Sequence, residues 1–171
     1  MTAIARRPLW IAASALFLAP AVAMLLTQEV AWGPGDFALF GGMLLAVCGA
    51  YEFAVRFSAH RSYHLGVALT AVGMFLLVFV NLAVGIIGGE DNPANLAFFA
   101  IPLVGLIGAA LTRARALGLA RTLTVMAAMQ VAAAFLAPAS EWAPMLIGTA
   151  VFVALWTAAA QAFRSAARAE P

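Results

Sequence analysis

The sequence has no lysine, a single cysteine and very little charge of either sign: nine basic residues, all arginine, seven acidic ones and 9% charged residues in a chain of 171. Soluble domains carry roughly a quarter of their residues as Asp, Glu, Lys or Arg, because those groups coat the surface that meets water. This chain has too few to make such a surface, which excludes a soluble enzyme, and its 65% apolar content excludes a disordered chain. Nor does the pI of 9.3 signal a nucleic-acid partner. The arginines are scattered in short clusters between apolar runs and form no stripe that could track a phosphate backbone. Cys48, alone, excludes an intramolecular disulfide. Without lysine there is no phosphate-cradling Gly-Lys loop, and no serine is spaced with a histidine and an acid as a nucleophile would require.

What remains is apolar length, with a mean hydropathy of +1.03. A membrane span takes about 20 mostly apolar residues. Six runs qualify, at about 9–26, 37–57, 64–88, 95–112, 117–137 and 143–163. Turn chemistry breaks them: Gly33-Pro34-Gly35-Asp36, Arg56 to Ser62, Glu90-Asp91-Asn92-Pro93, Arg113 to Arg115, and Pro138 to Pro144. The expected fold is all-α, a polytopic transmembrane bundle of six helices in three hairpins, forming one domain over 1–171.

Charge tests the count independently. If six helices alternate, every arginine (Arg6, Arg7, Arg56, Arg61, Arg113, Arg115, Arg121, Arg164 and Arg168) falls on one side. Glu29, Asp36, Glu90, Asp91 and Glu141 fall on the other. The positive-inside bias makes the arginine side cytoplasmic, so both termini are expected there, in a bacterial inner membrane. Trp10, Trp32 and Trp142 lie at the ends of spans, the level that amphipathic rings favour, whereas Trp156 lies deeper and is expected to pack against a neighbouring helix. Arg6-Arg7, the apolar run and Ala21-Val22-Ala23 also spell a signal peptide cleaved after about residue 23. The apolar run continues to Leu26, long enough to span, and retention of the first helix is the expectation.

The most distinctive string is Gly85-Ile86-Ile87-Gly88-Gly89-Glu90-Asp91-Asn92-Pro93-Ala94-Asn95. Gly88-Gly89 can end span three in a left-handed cap, Asn92 can cap the next helix and Pro93 suits its first position. The same residues allow a second reading, a cation or polar-solute site of Glu90, Asp91, Asn92 and Asn95 at an outer vestibule. Asn92-Pro93-Ala94 also spells the aquaporin triplet, but that family uses two on facing half-helices and this sequence has one. The longer string resembles the loop of a group of small, uncharacterised multi-span bacterial membrane proteins. That resemblance implies a multi-span membrane protein and brings no activity with it.

Few other residues carry chemistry. Glu52 is the acid within a span, and it precedes Arg56 by one helical turn, the spacing of an intramembrane ion pair near the cytoplasmic end; the alternative reading is a proton or substrate relay. His60 and His64 stand four apart, but no third ligand accompanies them, so neither metal nor haem nor any other cofactor is expected. Asn81 and Gln130 sit in the outer half of their spans, where amides bond across helices or line a polar passage with Asn95. Gly42, Ala46, Ala50 and Ala54, and later Ala158, Ala162 and Ala166, recur every fourth residue and let helix backbones approach closely. Pro20 and Pro102 should bend spans one and four.

Two functional readings follow. The first is a non-enzymatic accessory or assembly subunit, or a homo-oligomer, acting through helix packing; its partners are the lipid bilayer and other membrane proteins or further copies of itself. The alternative is a small-solute channel or carrier using Asn81, Glu90, Asp91, Asn92, Asn95 and Gln130, its vestibule at residues 90–95.

Overall fold

The computed structural model describes residues 3–28, 30–89 and 91–169, with side chains from residue 7 onward; Glu29 and Glu90 lie outside the described residues. Six long helices follow one another: α1 (Ala3–Leu26), α2 (Pro34–Phe57), α3 (Arg61–Ala83), α4 (Leu96–Leu111), α5 (Ala116–Ala134) and α6 (Trp142–Ala169). Short 3-10 turns at Pro93–Asn95 and Ala139–Glu141 lead into α4 and α6. No strand occurs among the described residues. All six are long and apolar enough to cross a membrane, α4 by including its leading turn (Pro93–Leu111, 19 residues). This is the pattern of a multi-pass helical protein.

The helix ends depart from the expected spans in one instructive place. Span three was expected to run to residue 88 and to end at Gly88-Gly89, but α3 stops at Ala83. Val84 has already left the helix with φ −140°, and Gly85, Gly88 and Gly89 hold φ of +71°, +62° and +106°. Three glycines in the left-handed region shape an irregular loop rather than one helix cap. Pro20 and Pro102 lie inside helices that continue through them. α6 runs on to Ala169, past the expected 163.

The chain divides into two compact units, residues 1–57 and 58–171. The first is the α1–α2 pair. Here Phe17 covers Gly41, whose missing Cβ would stand 2.9 Å from the ring. Phe17, Trp32 and Phe40 surround the start of α2, with edge-on contacts of 5.8 Å from Phe17 to Phe37 and 5.2 Å from Trp32 to Phe40.

The second unit, α3 to α6, is closed by glycines under large side chains. Gly66 of α3 lies beneath Phe163 of α6, and seven residues along both helices Gly73 lies beneath Trp156. A Cβ at Gly73 would meet the indole at 2.7 and 2.8 Å, so the two antiparallel helices approach closely only because none is there. Trp156 is fully buried, as expected from its depth in the span. Gly105 of α4 receives Met74 and Met126, Gly108 receives Thr122, and Gly118 of α5 receives Thr112. Lipid offers helices no hydrophobic drive to associate, so such close van der Waals contacts take its place. At the arginine-bearing end, Tyr63 Oη donates to Ala114 O at 2.8 Å and Arg164 Nη2 to Thr124 Oγ1 at 3.1 Å. The Tyr63 bond pins a turn in which Arg113 and Ala114 hold φ of +50° and +54°, a conformation costing non-glycine residues about 1–2 kcal/mol each.

Candidate functional site

Residues 84–89 and 91–95 form a corner organised by Asn95, which is 3% exposed. Its Oδ1 accepts from the amides of Ile86 at 3.0 Å and Ile87 at 2.9 Å. Its Nδ2 donates to the carbonyls of Gly89 at 2.6 Å and Ile87 at 3.3 Å. A primary amide offers two donors and two acceptor lone pairs, so the side chain is saturated within the fold. Its own carbonyl accepts from Asn81 Nδ2 of α3 at 2.9 Å, tying the turn back to the helix it left. Irregular backbone at the end of an apolar helix needs such partners, because lipid provides none.

Asn92 caps the turn into α4 as its position predicted: φ is −72°, Oδ1 accepts from Ala94 N at 3.0 Å and Pro93 occupies the first position. Its amide also backs onto Gly88, where an added Cβ would sit 2.9 Å from Nδ2. Glu141, entering α6, takes the Gly88 N–H on Oε2 at 3.1 Å and so links the corner to the far end of the unit's sequence. Asp91 is exposed. Asn92→Ala should therefore lower stability by about 1 kcal/mol, as loss of a cap does, and Asn92→Asp by much less because the acceptor survives. Melting temperatures in detergent check this, and an unchanged Asn92→Ala protein would refute the capping role.

Gln130 of α5 is placed elsewhere, on the wall of a cavity of about 210 Å³ between α3, α5 and α6. The cavity lies where the α3–α6 ladder reaches its next rung. Seven residues beyond Gly73 and Trp156 stand Val80 and Thr149, and the threonine does not fill the space that Trp156 and Phe163 fill below it. Gly148 adds no bulk. Gln130 is 2% exposed and Thr149 8%, yet Gln130 Oε1 and Thr149 Oγ1 have no hydrogen-bond partner among the described residues. Asn81 Oδ1 and Trp156 Nε1 are likewise buried without one.

Glu52 and Arg56 lie one turn apart on α2, half-buried and exposed respectively. Glu52 Oε1 receives the Trp10 indole N–H at 3.4 Å. His60 precedes α3 without capping it by its side chain, and His64 Nε2 lies 2.7 Å from Ser58 O. Among the described residues no group of three or more His, Cys, Asp or Glu is placed to hold a metal.

The structure thus brings Asn81, Asn92 and Asn95 together in one corner, sets Gln130 in a cavity wall, and leaves Asp91 exposed. Sequence reasoning gave Gly148 and Thr149 no role, read Gly88 as a helix cap only, and read Glu141 only as a charge on the acidic side. A signal for Thr149 existed: the seven-residue series Gly66, Gly73, Val80 on one helix faces Phe163, Trp156, Thr149 on the other. No family model matches the chain, and comparisons with curated proteins and with solved structures return no match.

Proposed function

We propose that the chain is a multi-pass protein of a bacterial inner (cytoplasmic) membrane and acts through helix packing, as an accessory or assembly subunit or as a homo-oligomer, without enzymatic activity. Its helices form three hairpins with both termini cytoplasmic. The observation that supports packing most is the face of α2 bearing Gly42, Ala46 and Gly49. All three are exposed, and open space lies where a Cβ would leave either glycine. The helical glycines of the second unit other than Gly148 each have a large side chain or a threonine seated on them. Small residues in a row admit another helix backbone at close range.

After mild detergent extraction, the protein should cross-link to a stoichiometric partner or to itself, and Gly42→Leu with Gly49→Leu should abolish the cross-link without lowering the melting temperature. A wild-type protein that stays monomeric and uncross-linked overturns the reading. For topology, reporters fused after residues 29, 90 and 141 should read periplasmic, supported by the segregation of arginines from acids along the chain. A cytoplasmic signal from any of them refutes it.

A second reading, a small-solute channel or carrier, is favoured by one observation, the cavity lined by Gln130. The saturated Asn95 amide argues against a vestibule at 90–95 and moves this reading inward.

A further inference from the structure

Where α5 meets α6, a charged side chain is held inside the apolar length. Arg164 Nη2 donates to Thr124 Oγ1 at 3.1 Å. That hydroxyl gives its own proton to Ala120 O at 2.9 Å, which leaves its lone pairs to the guanidinium. Thr124 lies roughly 12 Å along α5 from Ala116 by helical rise. A helical side chain leans toward the N-terminus of its helix, and α6 begins at the opposite end, so Arg164 leans into the span. It is exposed there, and a guanidinium carries five N–H donors. Beyond Thr124 these find no acceptor among the described residues, and hydrocarbon offers none. Arg121 precedes Thr124 by three residues and Arg168 follows Arg164 by four, spacings that bring side chains onto a shared side of a helix. Both are exposed, one turn nearer the arginine-bearing end, and have no partner among the described residues. The described acids of residues 58–171, Asp91 and Glu141, stand at the opposite ends of these helices, and Glu170 lies outside the described residues.

We propose that the outer side of this seam holds the headgroup of one anionic glycerophospholipid. Arg121 and Arg168 donate to the phosphate, as guanidinium forks do with particular strength. Arg164, kept one level deeper by Thr124, donates to the glycerol ester carbonyls beneath that phosphate. The two levels commit the site to a lipid, because a free phosphate has no second group to offer the deeper arginine. Charge commits it to an anionic lipid. Three cations with no described acid beside them are offset by a net negative headgroup, whereas a zwitterionic one brings a cation of its own. The inference rests on the membrane-spanning reading of the helices. It holds in either orientation, and whether the chain acts by packing or as a carrier.

The full-length protein in phosphatidylcholine nanodiscs tests it. Adding phosphatidylglycerol to the discs should raise the Tm by several degrees, and native mass spectrometry should find a single phosphatidylglycerol retained in preference to phosphatidylcholine. Inorganic phosphate at millimolar concentration should leave the Tm unchanged. Arg121→Gln, Arg164→Gln and Arg168→Gln should each weaken phosphatidylglycerol retention about tenfold, the scale of a lost hydrogen bond to a charged group. Thr124→Val frees Arg164 without changing charge and should weaken retention a few-fold, as loss of an ordinary hydrogen bond does. Arg113→Gln removes the same charge from the exposed α4–α5 turn and should leave retention as in the wild type. These substitutions are at exposed positions, and unchanged melting in pure phosphatidylcholine shows that each variant is folded. Equal retention of the two lipids, a loss in Arg113→Gln as large as in Arg164→Gln, or a Tm rise with inorganic phosphate overturns the proposal. A chain that enters discs of neither composition fails the membrane reading as well, whereas one that enters both without preference fails the site alone.

Discussion

Asn95→Leu should destabilise the protein by about 3 kcal/mol or more, the largest loss expected from any change in the 84–95 corner. Four backbone groups lose their partner at once: the amides of Ile86 and Ile87 and the carbonyls of Ile87 and Gly89. Each buried group left unsatisfied costs about 1–3 kcal/mol. Gly89 is exposed and can turn to water, whereas Ile87 is 1% exposed and cannot. Leucine keeps the branched skeleton of asparagine but carries bulkier methyl groups, so the loss combines missing hydrogen bonds with crowding. Asn95→Asp keeps the two acceptors but sets a carboxylate against the Gly89 carbonyl, and it should also destabilise. Asp91→Asn, on an exposed side chain, should change stability by no more than about 0.5 kcal/mol. Thermal unfolding in detergent, with hydrogen exchange at the Ile86 and Ile87 amides, measures these effects. An Asn95→Leu protein that melts with the wild type and keeps those amides protected would refute the hub.

A second large effect is expected where α3 meets α6. Gly73→Leu must displace the Trp156 ring, and overpacking of this kind costs about 1–3 kcal/mol, occasionally more. Trp156→Ala removes a fully buried indole, for which about 3–5 kcal/mol is typical. The double variant should be less destabilised than the two losses added together, because the leucine enters space the indole has left; residues in contact couple by about 0.5–3 kcal/mol. Trp156→Phe should cost much less than Trp156→Ala, since its buried Nε1 has no hydrogen bond to lose among the described residues. Additive losses in the double variant would show that Gly73 and Trp156 do not share one contact.

Six apolar lengths and the residues that interrupt them were legible from hydropathy and turn chemistry, because a span must satisfy its own backbone and leaves an uninterrupted signature. The Asn92 cap was legible too, since a cap is a local bond between neighbours in sequence. The end of α3 was misplaced by five residues because the glycines at 85, 88 and 89 act together with Asn95, and no single dipeptide states that. In the sequence Asn95 entered only as a candidate polar-site residue, and its structural role emerged only when its amide met the loop it closes.

The sequence alone therefore determined the class of molecule, the number of membrane-length helices and one capped corner, all set by composition or by neighbours a few residues apart. Only the tertiary structure decided that Glu141 holds Gly88 across 53 positions, that Gly73 exists for Trp156, and that Thr149 and Gln130 stand on the wall of one cavity. Those facts depend on which faces of α3, α5 and α6 meet. In a chain apolar all round, no amphipathic stripe marks those faces in advance, and close packing around small residues selects them.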